Sequence, residues 1–301
     1  MNAVSVKVPA STSNLGSGFD TLGLAVKLYN VIRVDRQSAA GIALHWAMPE
    51  PDRAWFMAAL GAAAKLFFRR TRARAFGVRV GLRPGVPMAR GLGASATIRV
   101  GFIAAMNELA QTKLSREELL ELATELEGHP DNASPAIFGG FTVSGRVGQT
   151  VRCLSFPVSS RLKCVTLIPK FGISTEKARK LLPASYSKAD TAHALNRAAL
   201  ITAALAAKNY RALCGVFDDR LHQPYREKLL PQLSRVIRAG EKAGALGGFL
   251  SGSGSSIMCL TLEKADAVAQ AMLRQLPGSE VRVLLADSQG FRVMKVGEDS
   301  E

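Results

Sequence analysis

Cysteine is scarce in this 301-residue chain, and Cys153, Cys164, Cys214 and Cys259 stand apart with no metal-ligand spacing. That excludes a disulfide framework and a cysteine-bound zinc site, and it predicts reduced thiols in a cytoplasmic protein. Long apolar runs are missing too: the longest, Ala54 to Phe68, is broken by Lys65 and is too short to span a bilayer. The N-terminus alternates Val4, Val6, Val8 as a strand does and has no signal-peptide core, so no membrane partner is expected. No Gly-Lys pair occurs anywhere, which rules out the Walker phosphate loop. Acid is absent between Arg69 and Arg90, where seven arginines fall, and the net charge is +15. Few aromatics interleave with that run (Phe67, Phe68, Phe76). A solvated basic face that draws anionic ligands therefore fits better than a nucleic-acid surface, and no nucleic-acid partner is expected. The 48% apolar fraction is that of a globular chain with one large or two medium domains.

What the chain does have is glycine in loops. Pro87, Met88, Ala89, Arg90, Gly91, Leu92, Gly93, Ala94, Ser95, Ala96 and Thr97 precede an apolar pattern at helical spacing (Ile98, Phe102, Ala105, Leu109). Gly91 and Gly93 let the backbone close around an anion at a helix N-terminus, where amides lack acceptors and the dipole is positive. Gly91-x-Gly93-x-x-Ala96 also fits the loose dinucleotide fingerprint. The strand before it (Phe76, Val78, Val80, Leu82), however, leads into Arg83-Pro84-Gly85-Val86-Pro87, which breaks a tight strand–turn–helix.

Four further stretches concentrate polar chemistry. Pro9 to Asp20 reads as a small-residue loop between strands, either an ordinary capped turn or a pocket wall where Asn14 and Asp20 meet a cationic group. Ser115-Arg116-Glu117-Glu118 is a capping box opening a helix that runs into Glu125-Leu126-Glu127-Gly128-His129-Pro130-Asp131-Asn132. Taken alone, Glu127 reads as a solvated helix acid; paired with the Ser95 hydroxyl, it is a hard-oxygen set suited to Mg²⁺. Arg179 and Arg226 suit bidentate grip of a carboxylate but read as readily as surface arginines. Gly247 to Ser256 is a second glycine-rich turn entering a strand, and strands at 281–286 and 291–296 complete an α+β second half before an acidic tail.

Three of these motifs, in order, resemble those of the GHMP small-molecule kinases: Pro9 to Asp20, Pro87 to Thr97 and Gly247 to Ser255. N-L-G-x-G-F-D, E-G-H-P-D-N, S-T-x-x-A-R and H-x-x-Y-R resemble the homoserine kinase branch in particular. The resemblance implies an α+β GHMP kinase fold, with an N-terminal domain like ribosomal protein S5 domain 2 over 1–160 and a ferredoxin-like domain over 161–301. It implies ATP held by 87–97, Mg²⁺ on Ser95 and Glu127 (with Glu125 as fallback), L-homoserine as substrate, and a homodimer. Asn14, Asp20 and His129 would orient the substrate's amino and hydroxyl ends, Arg179 and Arg226 would take its carboxylate, and Gly252 would shape the pocket. Asp131 or Asn132 would face the reacting hydroxyl, with no essential proton abstractor expected. Ala94 and Ser255 depart from the family's usual serine and proline without removing a proposed ligand. Two alternatives stand beside this: a GHMP kinase for a mevalonate- or shikimate-like acceptor, and a nucleic-acid binder on a degenerate kinase fold.

Overall fold

In the computed structural model, which describes residues 2–46, 50 and 52–294, the chain folds around two sheets. The first sheet holds β1 (Ala3–Ser13), β2 (Leu22–Gln37), β3 (Ile42–Leu44), β4 (Gly77–Arg83), β5 (Phe141–Val147), β6 (Thr150–Phe156) and β11 (Arg292–Met294). Its main path is β11-β1-β2-β4-β3, with β5 joined to the start of β2 and β6 joined to β5. Helices α1 (Asp52–Thr71), α2 (Ala94–Ala110), α3 (Arg116–Glu127) and α4 (Ala133–Phe138) pack with it. The alternation of β1 turns Val4, Val6 and Val8 into this core, where they meet Phe56, Phe67, Ile98 and Phe102. Each such side chain contributes on the order of 2–3 kcal/mol by leaving water.

The second sheet has the order β10-β7-β9-β8, with every pair antiparallel. Its strands are β7 (Lys163–Ile168), β8 (Gly247–Leu250), β9 (Ile257–Thr261) and β10 (Glu280–Leu285), with α8 (Leu233–Lys242) and α9 (Ala265–Gln275) against them. Numbered within this half, the order is 4-1-3-2 with helices in the two crossovers, the ferredoxin-like arrangement. Three helices, α5 (Thr175–Lys180), α6 (Lys188–Ala206) and α7 (Gln223–Arg226), occupy the long first crossover.

Two expectations need correction. Pro9 to Ser13 is not loop: it continues β1, and register against β2 shifts between Pro9 and Ala10, so the strand bends without ending. The strand expected at 291–296 does not complete the second half either. Its described part, β11, returns to the first sheet and pairs with β1, while residues 295–301, including the acidic tail, lie outside the described residues. Alternation could not reveal this, because a three-residue strand carries no partner information.

The return is secured by Asp287. Its buried carboxylate accepts the Gln289 and Gly290 amides at 2.9 and 2.8 Å, the Tyr29 hydroxyl at 2.9 Å and Arg292 Nη2 at 3.1 Å. Arg116 at the start of α3 adds bonds to the carbonyls of Ile137, Gln289 and Phe291. All four cysteines are free thiols, and among the described residues no helix is long and apolar enough to cross a membrane. Asp287→Ala would strand two amides and a phenol, so urea unfolding should show a loss of roughly 2–4 kcal/mol. A loss under 1 kcal/mol would mean the return strand is held by something else.

Candidate active site

The three glycine-bearing motifs meet at the end of β1. The Ser11 amide donates to the Leu92 carbonyl at 3.2 Å and the Gly252 amide to the Ser13 carbonyl at 3.2 Å. Ser251 Oγ donates to the Gly91 carbonyl at 2.6 Å and shares a hydrogen bond with the Thr12 hydroxyl at 2.8 Å. Gly91 and Gly93 have φ of 72° and 69°, and a Cβ on them would stand 2.0 Å from the Ser251 carbonyl oxygen and 2.2 Å from Ser11 Oγ. Only glycine serves at either place. Helix α2 then starts at Ala94 with no side chain capping it, so its first amides remain available to an anion.

Beneath this cradle lies a cavity of about 760 Å³. It takes in every candidate from the other motifs: Asn14, Asp20, Ser95, Glu127, His129, Asp131, Asn132, Arg179, Arg226 and Gly252. From the expected 87–97 segment, Met88, Ala89, Arg90, Gly91, Gly93, Ala94, Ser95 and Ala96 line it, but Pro87, Leu92 and Thr97 do not. Leu92 is core, and Thr97 is buried with its hydroxyl between Asn30 and the Ala94 carbonyl. Arg90 does not lend its guanidinium freely to a ligand; it clamps the carbonyls of Met88, Pro169 and Lys170 and so ties the loop to the second half. Asn30, buried beneath, accepts the Gly85 and Val86 amides and sets the loop's entry.

At the helix end of the cavity, Ser95 Oγ donates to Glu127 Oε1 at 2.8 Å. Arg99, one turn along α2 from Ser95, donates to the same carboxylate oxygen at 2.5 Å and to Ser95 Oγ at 3.1 Å. A hydroxyl and a largely sequestered carboxylate, with no sulfur or imidazole bonded to them, fit a hard divalent cation. The fallback Glu125 is corrected: it pairs on the surface with Arg69 at 2.7 Å, as Glu121 does with Arg70 at 2.6 Å. Part of the basic run therefore stitches α1 to α3. Sequence reading missed Arg99, although its i+4 spacing from Ser95 puts both on one helix face.

The other arm is a set of compensated charges. Arg179 grips Asp20 in a two-bond fork of 3.1 and 2.6 Å, so neither is the free group expected. His129 Nδ1 meets Asp131 Oδ1 at 2.5 Å. Burial alone would lower the His129 pKa, but the Asp131 bond and the charges of Asp131 and Asp20 outweigh it, and the net shift is upward. Burial would raise Asp131, yet His129, the Ser13 hydroxyl and Arg179 bring it below the usual carboxylate range. Both shifts favour the charged pair, imidazolium with carboxylate, whose Nε2–H would be left as a donor. Arg226 is almost fully buried: its Nη1 donates to the Gly252 carbonyl at 2.9 Å and to His222 Nδ1 at 3.2 Å, while its Nε finds no partner. Since arginine only donates, Nδ1 of His222 accepts and Nε2–H donates to the Gly16 carbonyl at 2.8 Å. Burial, then the neighbouring Arg179 charge, lowers Arg226 to about 10. Both guanidiniums lie over the Phe19 ring, Arg179 at 5.4 Å and Arg226 at 5.3 Å from its centroid.

Three expected ligand contacts become positioning residues. Asn14 uses Nδ2 on the Gly252 carbonyl at 3.1 Å and Oδ1 on the Asp20 amide at 3.1 Å. Asn132 uses Oδ1 for Ser11 Oγ at 2.9 Å and Nδ2 for Ser13 Oγ at 3.0 Å and Asp131 Oδ1 at 3.2 Å. Gly252 has both backbone groups committed to Ser13, Asn14 and Arg226.

Comparison with known proteins agrees with this geometry. Residues 58–140 match the GHMP kinases N terminal domain, and residues 197–278 match the GHMP kinases C terminal domain. A homoserine kinase of Caldicellulosiruptor bescii is 38% identical over 99% of both chains. The chain belongs to the homoserine kinases of the GHMP family. A homoserine kinase of Nostoc punctiforme is 37% identical over 97% of this chain and 98% of its own. Among solved structures, a homoserine kinase from Cytophaga hutchinsonii superposes with TM-score 0.87 at 26% identity, covering 98% of each chain. Methanococcus jannaschii mevalonate kinase, with TM-score 0.69 and 15% identity over 94% of this chain and 98% of its own, shares the fold.

The His129–Asp131 pair yields a signed prediction. A histidine with a raised pKa adds stability at low pH that is lost as pH rises through its folded value. Asp131→Asn removes the main groups that oppose burial and leaves only the Asp20 charge against it, so NMR titration of the His129 ring should give a lower pKa than in wild type. The stability gap between wild type and this variant should shrink toward alkaline pH. A His129 pKa unmoved by the substitution would refute the ion pair.

Proposed function

We propose that the chain transfers the γ-phosphoryl group of ATP to the side-chain hydroxyl of L-homoserine, giving O-phospho-L-homoserine for threonine synthesis. The observation that carries this is one cavity holding both a glycine cradle at an uncapped helix N-terminus and two arginines with the His129–Asp131 pair. The family relationship supports the same reading.

The amides at 93–96 receive the phosphates, and Trp46, Trp55 and Leu82 offer the base an apolar wall. Ser95 and Glu127 hold Mg²⁺, which supplies charge neutralisation at the phosphate oxygens when bound. At the other end the substrate carboxylate sits with Arg226 and Arg179, relieving the repulsion that lowers Arg226. Its ammonium sits near Asp20, which Arg179 then shares. His129 Nε2–H steadies the hydroxyl oxygen as the new O–P bond forms and the bond to the ADP oxygen breaks. The hydroxyl proton leaves to a phosphoryl oxygen. Asp131 is a poor acceptor for it, because its pKa is lowered and Oδ1 already serves His129 and Asn132. Positioning and charge neutralisation can carry phosphoryl transfer without a strong base. The mevalonate- or shikimate-like alternative fares worse, since those acids bring a carboxylate for the two arginines but no ammonium for Asp20.

A coupled assay of ADP release tests the proposal. Turnover should require both L-homoserine and Mg²⁺, with mevalonate and shikimate inert. Glu127→Gln should lower kcat by about 100-fold or more, well beyond the loss in Asp131→Asn. Equal losses in the two variants would restore Asp131 as a base. Arg226→Met should raise the homoserine KM by roughly 100-fold while sparing the KM for ATP. A shift confined to ATP would reverse the two ends of the site.

A further inference from the structure

Arg99 belongs to none of the motifs, yet it stands on the two side chains assigned to the metal. Its guanidinium donates to Glu127 Oε1 at 2.5 Å and to Ser95 Oγ at 3.1 Å. Both charged groups are largely sequestered, the Arg99 side chain being 18% exposed and that of Glu127 11%. Its Nε is buried and has no partner, and the Trp55 ring centroid lies 6.0 Å from the guanidinium carbon. Arg99 also lines the cavity, one turn inside the helix whose N-terminus forms the cradle. A residue placed only to neutralise Glu127 would have no reason to carry an unpartnered buried N–H beside a ligand cavity.

We propose that Arg99 is a cationic placeholder at the metal site: it holds Glu127 while the cavity is empty and passes to the phosphates when metal and nucleotide arrive together. This rests on the assignment of Ser95 and Glu127 to the metal. A guanidinium and a divalent cation cannot share one carboxylate oxygen without strong repulsion, so a free cation must expel Arg99 into a site that offers it no other acceptor. The triphosphate removes that obstacle. Its oxygens give the guanidinium new acceptors, in the planar two-bond geometry arginine favours, as the carboxylate is released. Free metal is therefore disfavoured, and metal and nucleotide promote each other's binding. The coupling is reciprocal by linkage. Arg99 also gives metal-free nucleotide a cation to bind, so the residue weakens one partial ligand and strengthens the other.

The test uses Mn²⁺ in place of Mg²⁺, read by the electron paramagnetic resonance of unbound Mn²⁺, with a non-hydrolysable ATP analogue. Wild type should bind Mn²⁺ at least about tenfold more tightly with the analogue than without it. Arg99→Met should bind Mn²⁺ without nucleotide about tenfold more tightly than wild type, and the analogue in EDTA about tenfold more weakly. Arg99→Lys, which keeps the charge, should stay near wild type in both measurements. Equal Mn²⁺ affinity of wild type with and without the analogue overturns the proposal, and that experiment needs no variant to fold. Wild-type behaviour of a folded Arg99→Met in both measurements overturns it as well. Glu127→Gln separates the two levels of the argument. Loss of the analogue-dependent Mn²⁺ site there supports the metal assignment, whereas its survival removes that assignment and this proposal with it.

Discussion

Everything at the site depends on how the end of β1 is bonded. Over three residues, Ser11 to Ser13, one strand tip exchanges hydrogen bonds with Leu92 of the cradle, Asn132 of the turn after α3, and Ser251 and Gly252 of the second half. Most of these groups are buried, so each bond matters less for its net worth of about 1 kcal/mol than for the cost of leaving it unmade. Small side chains are essential to this. Serine and threonine reach neighbours at close range, and Gly91 and Gly93 admit a backbone approach that no side chain would permit. The low sequence complexity of these loops is thus a requirement of backbones packed against one another.

A second constraint is charge. Before any ligand binds, the cavity already holds Arg99 with Glu127, Arg179 with Asp20, and His129 with Asp131. The Arg99–Glu127 and His129–Asp131 pairs are largely sequestered, so removing one partner of either would leave a costly lone ion, whereas Arg179 and Asp20 stay partly exposed. The arrangement holds acceptors and donors in place while leaving each pair exchangeable with a ligand that carries both signs. A zwitterionic amino acid can divide Arg179 from Asp20 without isolating either charge, which an alcohol cannot do. The Phe19 ring offers its π system to both Arg179 and Arg226, which eases the approach of two like charges. The +15 net charge works at longer range, by drawing anions toward the molecule.

How much of this could be read from the chain depends on whether the information is local. The cradle, the Ser115 capping box and the helix ending before His129 follow from short-range spacing, and the structure forms each of them. Ser95 and Glu127 form a hard-oxygen set by their chemistry and by the motif resemblance, and they stand 2.8 Å apart. What spacing could not supply was who bonds to whom. Asn14, Asn132 and Gly252 face the cavity as expected, yet their polar atoms are committed to neighbours more than a hundred residues away as well as nearby. His222, which the H-x-x-Y-R spacing leaves without a partner, is the acceptor that holds Arg226 Nη1. The return of β11 to the first sheet and the surface pairing of Glu125 are of the same kind, since each is decided by a partner distant in sequence.

One turn joins the two ends of the reaction. Helix α3 stops at Gly128, whose φ of 86° sends the chain sharply away, and a Cβ there would meet nothing within 4 Å. The need for glycine at this point is conformational and not steric, unlike that at Gly91. Glu127 immediately precedes the turn and faces the phosphate cradle; His129, Asp131 and Asn132 follow it and face the pocket of paired charges. The proposed metal ligand and the groups proposed to steady the acceptor are therefore carried by six consecutive residues. Asn132 bonds this segment to β1, while Glu127 is bonded to α2 through Ser95 and Arg99. A reaction driven by alignment needs donor and acceptor held at a fixed separation, and a short turn bonded at both ends sets that separation better than contacts between independently moving domains could.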